Sequence, residues 1–202
     1  MSRAGRNVAG PRVAGLLLTG GASRRLGTDK ARLVLHGETL AVRAARTLAA
    51  VCNPVIEVGG GATTLPVVRE QPAGGGPLAA IAAGGEALRE RGHHGPAIVL
   101  AVDFPNVTVA LLELLRDWRG EPTVVPNDRG NLQIACARYG GDALLAAQSL
   151  VVGGVRALRA LLDVVEVDIV SESVWHAVAT PDSFIDVDTP GDAARLGIEL
   201  PG

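Results

Sequence analysis

The glycine-rich run Leu18-Thr19-Gly20-Gly21-Ala22-Ser23-Arg24-Arg25-Leu26-Gly27-Thr28-Asp29-Lys30 concentrates groups able to do chemistry. Its three glycines leave room for backbone N–H groups to turn toward phosphate oxygens. Arg24, Arg25 and Lys30 add positive charge beside them, which makes an anion cradle. The same composition also suits a plain turn carrying solvated arginines. Lys30 stands between Asp29 and Ala31, whereas a Walker A loop needs glycine before its lysine and a hydroxyl after it. The G-x-G-x-x-G fingerprint is absent as well. All but one of the 19 basic residues are arginine, and the exception is Lys30. Either it is a remnant of GC-rich coding drift, or it marks a position that needs a compact ammonium rather than a planar guanidinium.

Carboxylates supply the complementary chemistry. Asp103 ends an apolar run before Phe104-Pro105, where it can hold Mg²⁺ or cap the next turn. Asp186-Val187-Asp188 puts two carboxylates on one side of an extended segment, so either can meet the cation held by Asp103. Asp188 or Thr189 before Pro190 equally suits a helix start. Glu70 to Leu78 is glycine-rich and precedes a helix, permitting close approach of a ligand, though a flexible loop reads the same way. His93-His94 fall in a turn without a third ligand at metal-site spacing, His36 and His176 read as structural, and Ser23 lacks a nucleophile context. Cys52 and Cys136 lie far apart with no zinc or disulfide spacing, which fits a reducing cytoplasm.

The elements that must carry these groups follow from periodicity. Val13–Leu18 reads as a buried strand, Ala31–Leu35 as a short alternating piece, and Thr39–Val51 as a helix whose Leu40, Ala44, Leu48 and Val51 share a face. Strands follow at Val55–Val58 and Pro66–Arg69, a helix from Pro77 to about Arg91, a central strand at Ala97–Val102, and a helix from Thr108 to Trp118. Pro122–Val125 and Leu132–Arg138 read as strands, Asp142–Val151 and Val155–Leu162 as helices. Val164–Val170 and Val174–Val178 read as strands closing the sheet, and a last helix follows Thr189-Pro190. This alternation predicts a mostly parallel sheet covered on both faces, with ligands outside the carboxyl ends of its strands.

Composition narrows the classes. At 202 residues, with 48% hydrophobic and 20% charged residues, one domain spanning 1–202 is expected, its first 12 residues flexible. Nineteen basic against 21 acidic residues exclude the positive surplus that nucleic-acid binding needs. Val13–Leu18 is too short for a signal h-region, and no run approaches the roughly 20 apolar residues of a membrane span, so a soluble protein is expected.

The Leu18–Lys30 run resembles the L-x-G-G-x-S-x-R-M-G-x-D-K signature of MobA-like nucleotidyltransferases. Gly76-Pro77-Leu78, Val102-Asp103-Phe104-Pro105 and Asp186-Val187-Asp188-Thr189-Pro190 resemble the family's later motifs, in order, so the likeness covers about residues 13–197. It implies a Rossmann-like three-layer α/β/α sandwich of the glycosyltransferase-A type. It also implies transfer of GMP from GTP to a molybdopterin-type cofactor with release of diphosphate, and a molybdoenzyme or its chaperone as eventual partner. By the resemblance, Leu18, Thr19, Gly20, Gly21, Glu70 and Gly76 bind nucleotide, Arg25 and Lys30 face the triphosphate, and Asp103 with Asp188 or Asp186 holds Mg²⁺. Gly20-Gly21 favours guanylyl over cytidylyl transfer. Ala80 replaces a family glycine, and Asn131, Leu132 and Ile134 interrupt the G-R-x-Q-P-L pattern, which bears on the acceptor. Other readings are cytidylyl transfer, guanylyl transfer to a small phosphorylated acid, and a non-catalytic nucleotide-binding relative.

Overall fold

A computed structural model describes residues 12–20, 26–71 and 73–200. The expectation of a flexible N-terminus therefore falls, except for Arg12, outside the described residues, as do the roles assigned to Gly21 and Arg25. Strand β1 (Ala14–Leu18) is buried on both faces. Its Ala14, Leu16 and Leu18 enter one apolar cluster, while Leu17 enters another with Val13. This is the signature of a central strand with helices above and below it. The first cluster packs α2 (Pro77–Glu90) and α4 (Gly141–Val152) on the sheet, and the second packs α1 (Leu40–Ala49) and α3 (Val109–Asp117) on the opposite face.

Strands β4 (Val55–Val58), β5 (Val67–Val68), β6 (Ala97–Ala101), β7 (Thr123–Asp128), β9 (Cys136–Tyr139) and β10 (Val167–Val170) complete the sheet with β1 in the order β10-β7-β9-β6-β1-β4-β5; β8 (Asn131–Leu132) pairs only with β7. β9 runs antiparallel between β6 and β7, while β1 is parallel to both β4 and β6. The chain leaves β1 for β4 and β5 on one side, then crosses back to β6 on the other. That reversal of strand order opens the crevice beside β1 where doubly wound sheets bind ligands.

Several expected elements differ. Val155–Leu162 is not a regular α-helix; its helical part is a 3₁₀ turn at Leu158–Leu161. Leu132–Arg138 divides into β8 and β9. Val174–Val178 is not a strand: α5 (Glu172–Trp175) ends within it and a turn follows. Val174 and Val178 are exposed, while Trp175 is fully buried against Phe184 with ring centroids 4.9 Å apart, so one large side chain decides the local structure. Asp168 of β10 accepts from Trp118 Nε1 and the Glu121 backbone. Arg138 is a buried strut whose guanidinium donates to carbonyls of Leu115, Arg116 and Trp118 at the end of α3.

A third, smaller core lies under the crevice. It joins Leu26, Ala31, Leu33 and Leu35 to Leu40 and Ala41 of α1, to Val102, to Val187, and to Ala193 and Ile198 of the C-terminal segment. The short hairpin of β2 (Val34–Leu35) and β3 (Glu38–Thr39) turns at His36 and Gly37, both at positive φ, and pairs through Val34 with Glu199.

Candidate active site

This small core explains how three distant charged residues meet. Ala31, Val102 and Val187 are all buried, and each is the sequence neighbour of a polar group: Lys30, Asp103, and Asp186 with Asp188. Burial of the apolar partner fixes the direction of the charged one. The Asp29 side chain accepts from Ala31 N at 3.0 Å, capping the 3₁₀ turn Lys30–Arg32 and setting Lys30 at its first position. Val187 N donates to Asp103 O at 3.1 Å, which lays the Asp186–Asp188 segment along the end of β6. Thr189, not Asp188, caps α6 (Pro190–Arg195), in a reciprocal capping box with Asp192. The Asp188 carboxylate accepts from Lys30 instead of capping the helix.

Lys30 Nζ donates to Asp188 Oδ1 at 2.5 Å and to Asp103 Oδ2 at 3.2 Å. Burial opposes the ammonium, but the Asp188 hydrogen bond and the charge of Asp103 outweigh it, so the lysine pKa is raised and the group is charged at neutral pH. Asp103 Oδ1 is buried without a hydrogen-bond partner among the described residues. Burial and the neighbouring charges of Asp188 and Asp103 push Asp186 up. Two carboxylates on one ammonium, with the charge of Asp186 nearby, make a centre that can offer oxygen donors to a hard cation and present positive charge to an anion.

The nucleotide-side candidates gather across β1. Thr19 N continues the sheet to Val58 O at 3.0 Å, and Gly20 follows at the surface. A Cβ on Gly20 would stand 3.3 Å from Glu70 Oε2, and Glu70 Oε1 accepts from Gly74 N at 3.2 Å. Gly76, at φ 85°, caps α2 without a side-chain hydrogen bond and hands over to Pro77. Leu18 is buried core at the end of β1 and thus supports the loop through packing. Ala80 lies in the core of α2.

Three features are not evident from the sequence. Glu57 is fully buried within β4, and its carboxylate accepts from Thr19 Oγ1 at 2.6 Å and from the loop beyond Gly59. Its signal was a lone charge inside the apolar run Val-Ile-Glu-Val. Gly59 permits β4 to touch β1, because a Cβ there would collide with Thr19 Oγ1 and come within 2.7 Å of Gly20 N. His176, read as structural, lies with Asp128 and Glu172 at the end of β7, their ligand atoms within 4.8 Å of one another. Glu172 there already accepts from Arg129 N, closing that turn. Cys52 and Cys136 are buried free thiols, and burial pushes both up to about 12.

Residues 15–176 match the model of the MobA-like NTP transferase domain. The chain belongs to this family. It is 32% identical over 195 residues to a probable molybdenum cofactor guanylyltransferase of Chloroflexus aggregans, covering 89% of this chain and 91% of that protein. A protein of the same description from Mycobacterium marinum is 33% identical over 197 residues, covering 93% and 97%. Among solved structures, the molybdopterin-guanine dinucleotide biosynthesis protein A of Archaeoglobus fulgidus superposes with a TM-score of 0.76 at 22% identity, covering 91% of this chain and 96% of that one. A nucleotidyl transferase from Methanothermobacter thermautotroptrophicus gives 0.71 at 20%, covering 93% and 96%. These two establish the shared α/β architecture. No helix among the described residues is long and apolar enough to cross a membrane.

Proposed function

We propose that this family member transfers GMP from GTP to the terminal phosphate of a molybdopterin-type cofactor. An acceptor phosphate oxygen attacks the α-phosphorus, the bond from that phosphorus to the β-bridging oxygen breaks, and diphosphate leaves with the bond pair. The products are the guanine dinucleotide and diphosphate. The acceptor is already anionic, so no strong base is needed; the barrier lies in bringing two anions together and stabilising the leaving group.

The observation that carries this reading is Lys30 Nζ held between Asp103 and Asp188 at the sheet's strand-order reversal. Lys30 supplies a charge that can turn from these carboxylates to the triphosphate. Asp103 and Asp188, with Asp186 beside them, suit Mg²⁺, since they are hard oxygen donors and Asp103 Oδ1 is buried without a partner among the described residues. Mg²⁺ held there supplies charge neutralisation on the phosphates. The nucleoside extends across Gly20 toward Glu70, and the β9-β7-β10 half of the sheet edge is left for the acceptor. The buried thiols fit a cytoplasmic setting, with a molybdoenzyme or its chaperone as recipient of the product.

Parallel calorimetric titrations with GTP, CTP and ATP in the presence of Mg²⁺ test the donor. GTP is expected to bind at least tenfold tighter than the others, a difference of about 1.4 kcal/mol. Diphosphate release on adding molybdopterin then tests the transfer. A preference for CTP moves the donor to the cytidylyl alternative, and failure to bind any nucleotide overturns the enzyme reading.

A further inference from the structure

Glu57 is a fully buried carboxylate in the middle of β4, outside the Lys30 centre. Its Oε1 accepts from Thr19 Oγ1 at 2.6 Å, Gly61 N at 2.9 Å and Ala62 N at 2.7 Å. Its Oε2 accepts from Thr63 N at 2.9 Å and Thr63 Oγ1 at 2.7 Å. Five donors use the acceptor capacity of both oxygens, so Glu57 is not a group for holding a ligand. The donors come from two places: the end of β1, one residue before Gly20, and the loop that follows β4. Gly59 lies between them and packs so closely on Thr19 and Gly20 that no Cβ fits. Beyond that loop β5 pairs with β4, Glu57 opposite Val67 and Val58 opposite Val68, and ends just before Glu70.

We propose that Glu57 is a positioning residue that fixes the nucleoside side of the site and thereby sets nucleotide affinity and discrimination. This rests on the nucleotidyl-transfer reading above. One carboxylate holds Thr19 and the Gly61–Thr63 backbone in a single arrangement, which keeps Gly20 level with Gly59 and keeps Glu70 within reach of whatever lies on Gly20. The Lys30, Asp103 and Asp188 centre stands on the other side of β1, on a small apolar core that the Glu57 loop meets only at its margin, through Ala62 among the described residues. Loss of Glu57 should therefore weaken binding of the nucleoside while sparing the transfer step.

Glu57→Gln is the sharp variant because it preserves volume. Each Glu57 oxygen faces at least two donors, so either orientation of the amide points its NH₂ at N–H or O–H groups. Calorimetry with GTP and with CTP in the presence of Mg²⁺, together with steady-state rates, reads the effect. We expect the GTP Kd and KM to rise at least tenfold, kcat to stay within about threefold, and the GTP-over-CTP ratio to fall. Glu57→Asp should recover part of the affinity. Thr63→Ala, which removes one donor and keeps the carboxylate, should raise the GTP KM severalfold, and it decides the matter if Glu57→Gln does not fold. Folded variants that bind GTP as wild type does, or that lose kcat with KM unchanged, overturn the proposal. A wild-type protein that binds no nucleotide overturns the parent reading and this one with it, whereas wild-type binding with unaffected variants overturns this one alone.

Discussion

Lys30 is the chain's only ammonium side chain, and the structure gives a reason for an ammonium there. Its Nζ reaches two carboxylates from different segments at 2.5 and 3.2 Å, an arrangement that a compact, rotatable donor group suits better than a planar fork. If the same charge turns to the triphosphate during transfer, Lys30→Ala should slow kcat about a hundredfold, equivalent to about 3 kcal/mol and comparable to removal of one oxyanion donor. The same change removes the cation from among Asp103, Asp186 and Asp188, so Mg²⁺ should bind the nucleotide-free variant more tightly than wild type. Single-turnover rates and Mg²⁺ titrations check the two effects, which move in opposite senses and so separate a chemical role from simple unfolding. Near-normal turnover in Lys30→Ala would remove the lysine from the mechanism.

The element that sets Asp188 beside Lys30 is α6. Its capping box joins Thr189 Oγ1, Asp192 N and the Asp192 carboxylate, so Thr189→Ala should cost about 1 kcal/mol. At this chain size that lowers the Tm by about 2–4 °C, and an unchanged melting curve would show that the cap carries no stability. Sequence alone left Asp188 and Thr189 as rival caps, because both residue types suit the position and the choice depends on where Lys30 and Asp103 stand. Elements built on strong periodicity were legible: β1, α1, α2, β6 and α3 fall within two residues of expectation. The segments 155–162 and 174–178 on either side of β10 were not: the first holds only a 3₁₀ turn, and in the second the valines are spaced as a strand would place them while Trp175 has a partner, Phe184, that only the folded chain reveals. Lys30, Asp103 and the Asp186–Asp188 pair were legible as neighbours through their motifs, while the choice of Asp188 over Asp186 as the partner of Lys30 came only with the fold. Glu57 was visible as an anomaly in β4, but its meaning lay in donors from β1 and the next loop.

At the scale of the whole molecule, the sheet edge is assembled from segments that local forces alone would not hold together, and Glu57 is where charge stabilises that assembly. Burial by itself would raise its pKa; hydrogen bonds from Thr19, Ala62 and Thr63 overturn this and hold it below the usual 4.5. A carboxyl depressed in the folded state stabilises the fold fully above its unfolded value and loses that contribution as pH falls through the folded value. Wild-type protein should therefore weaken progressively below about pH 4.5, and Glu57→Gln, already weaker at pH 7, should show a shallower loss over the same interval because it has no proton to take up at this position. Urea midpoints measured from pH 7 to pH 3 for the two proteins test this, the difference between them narrowing as pH falls. Two curves that stay parallel down to pH 3 would mean that Glu57 binds its proton alike in the folded and unfolded chains, and that the β1–β4 junction is held by packing at Gly59 rather than by the carboxylate.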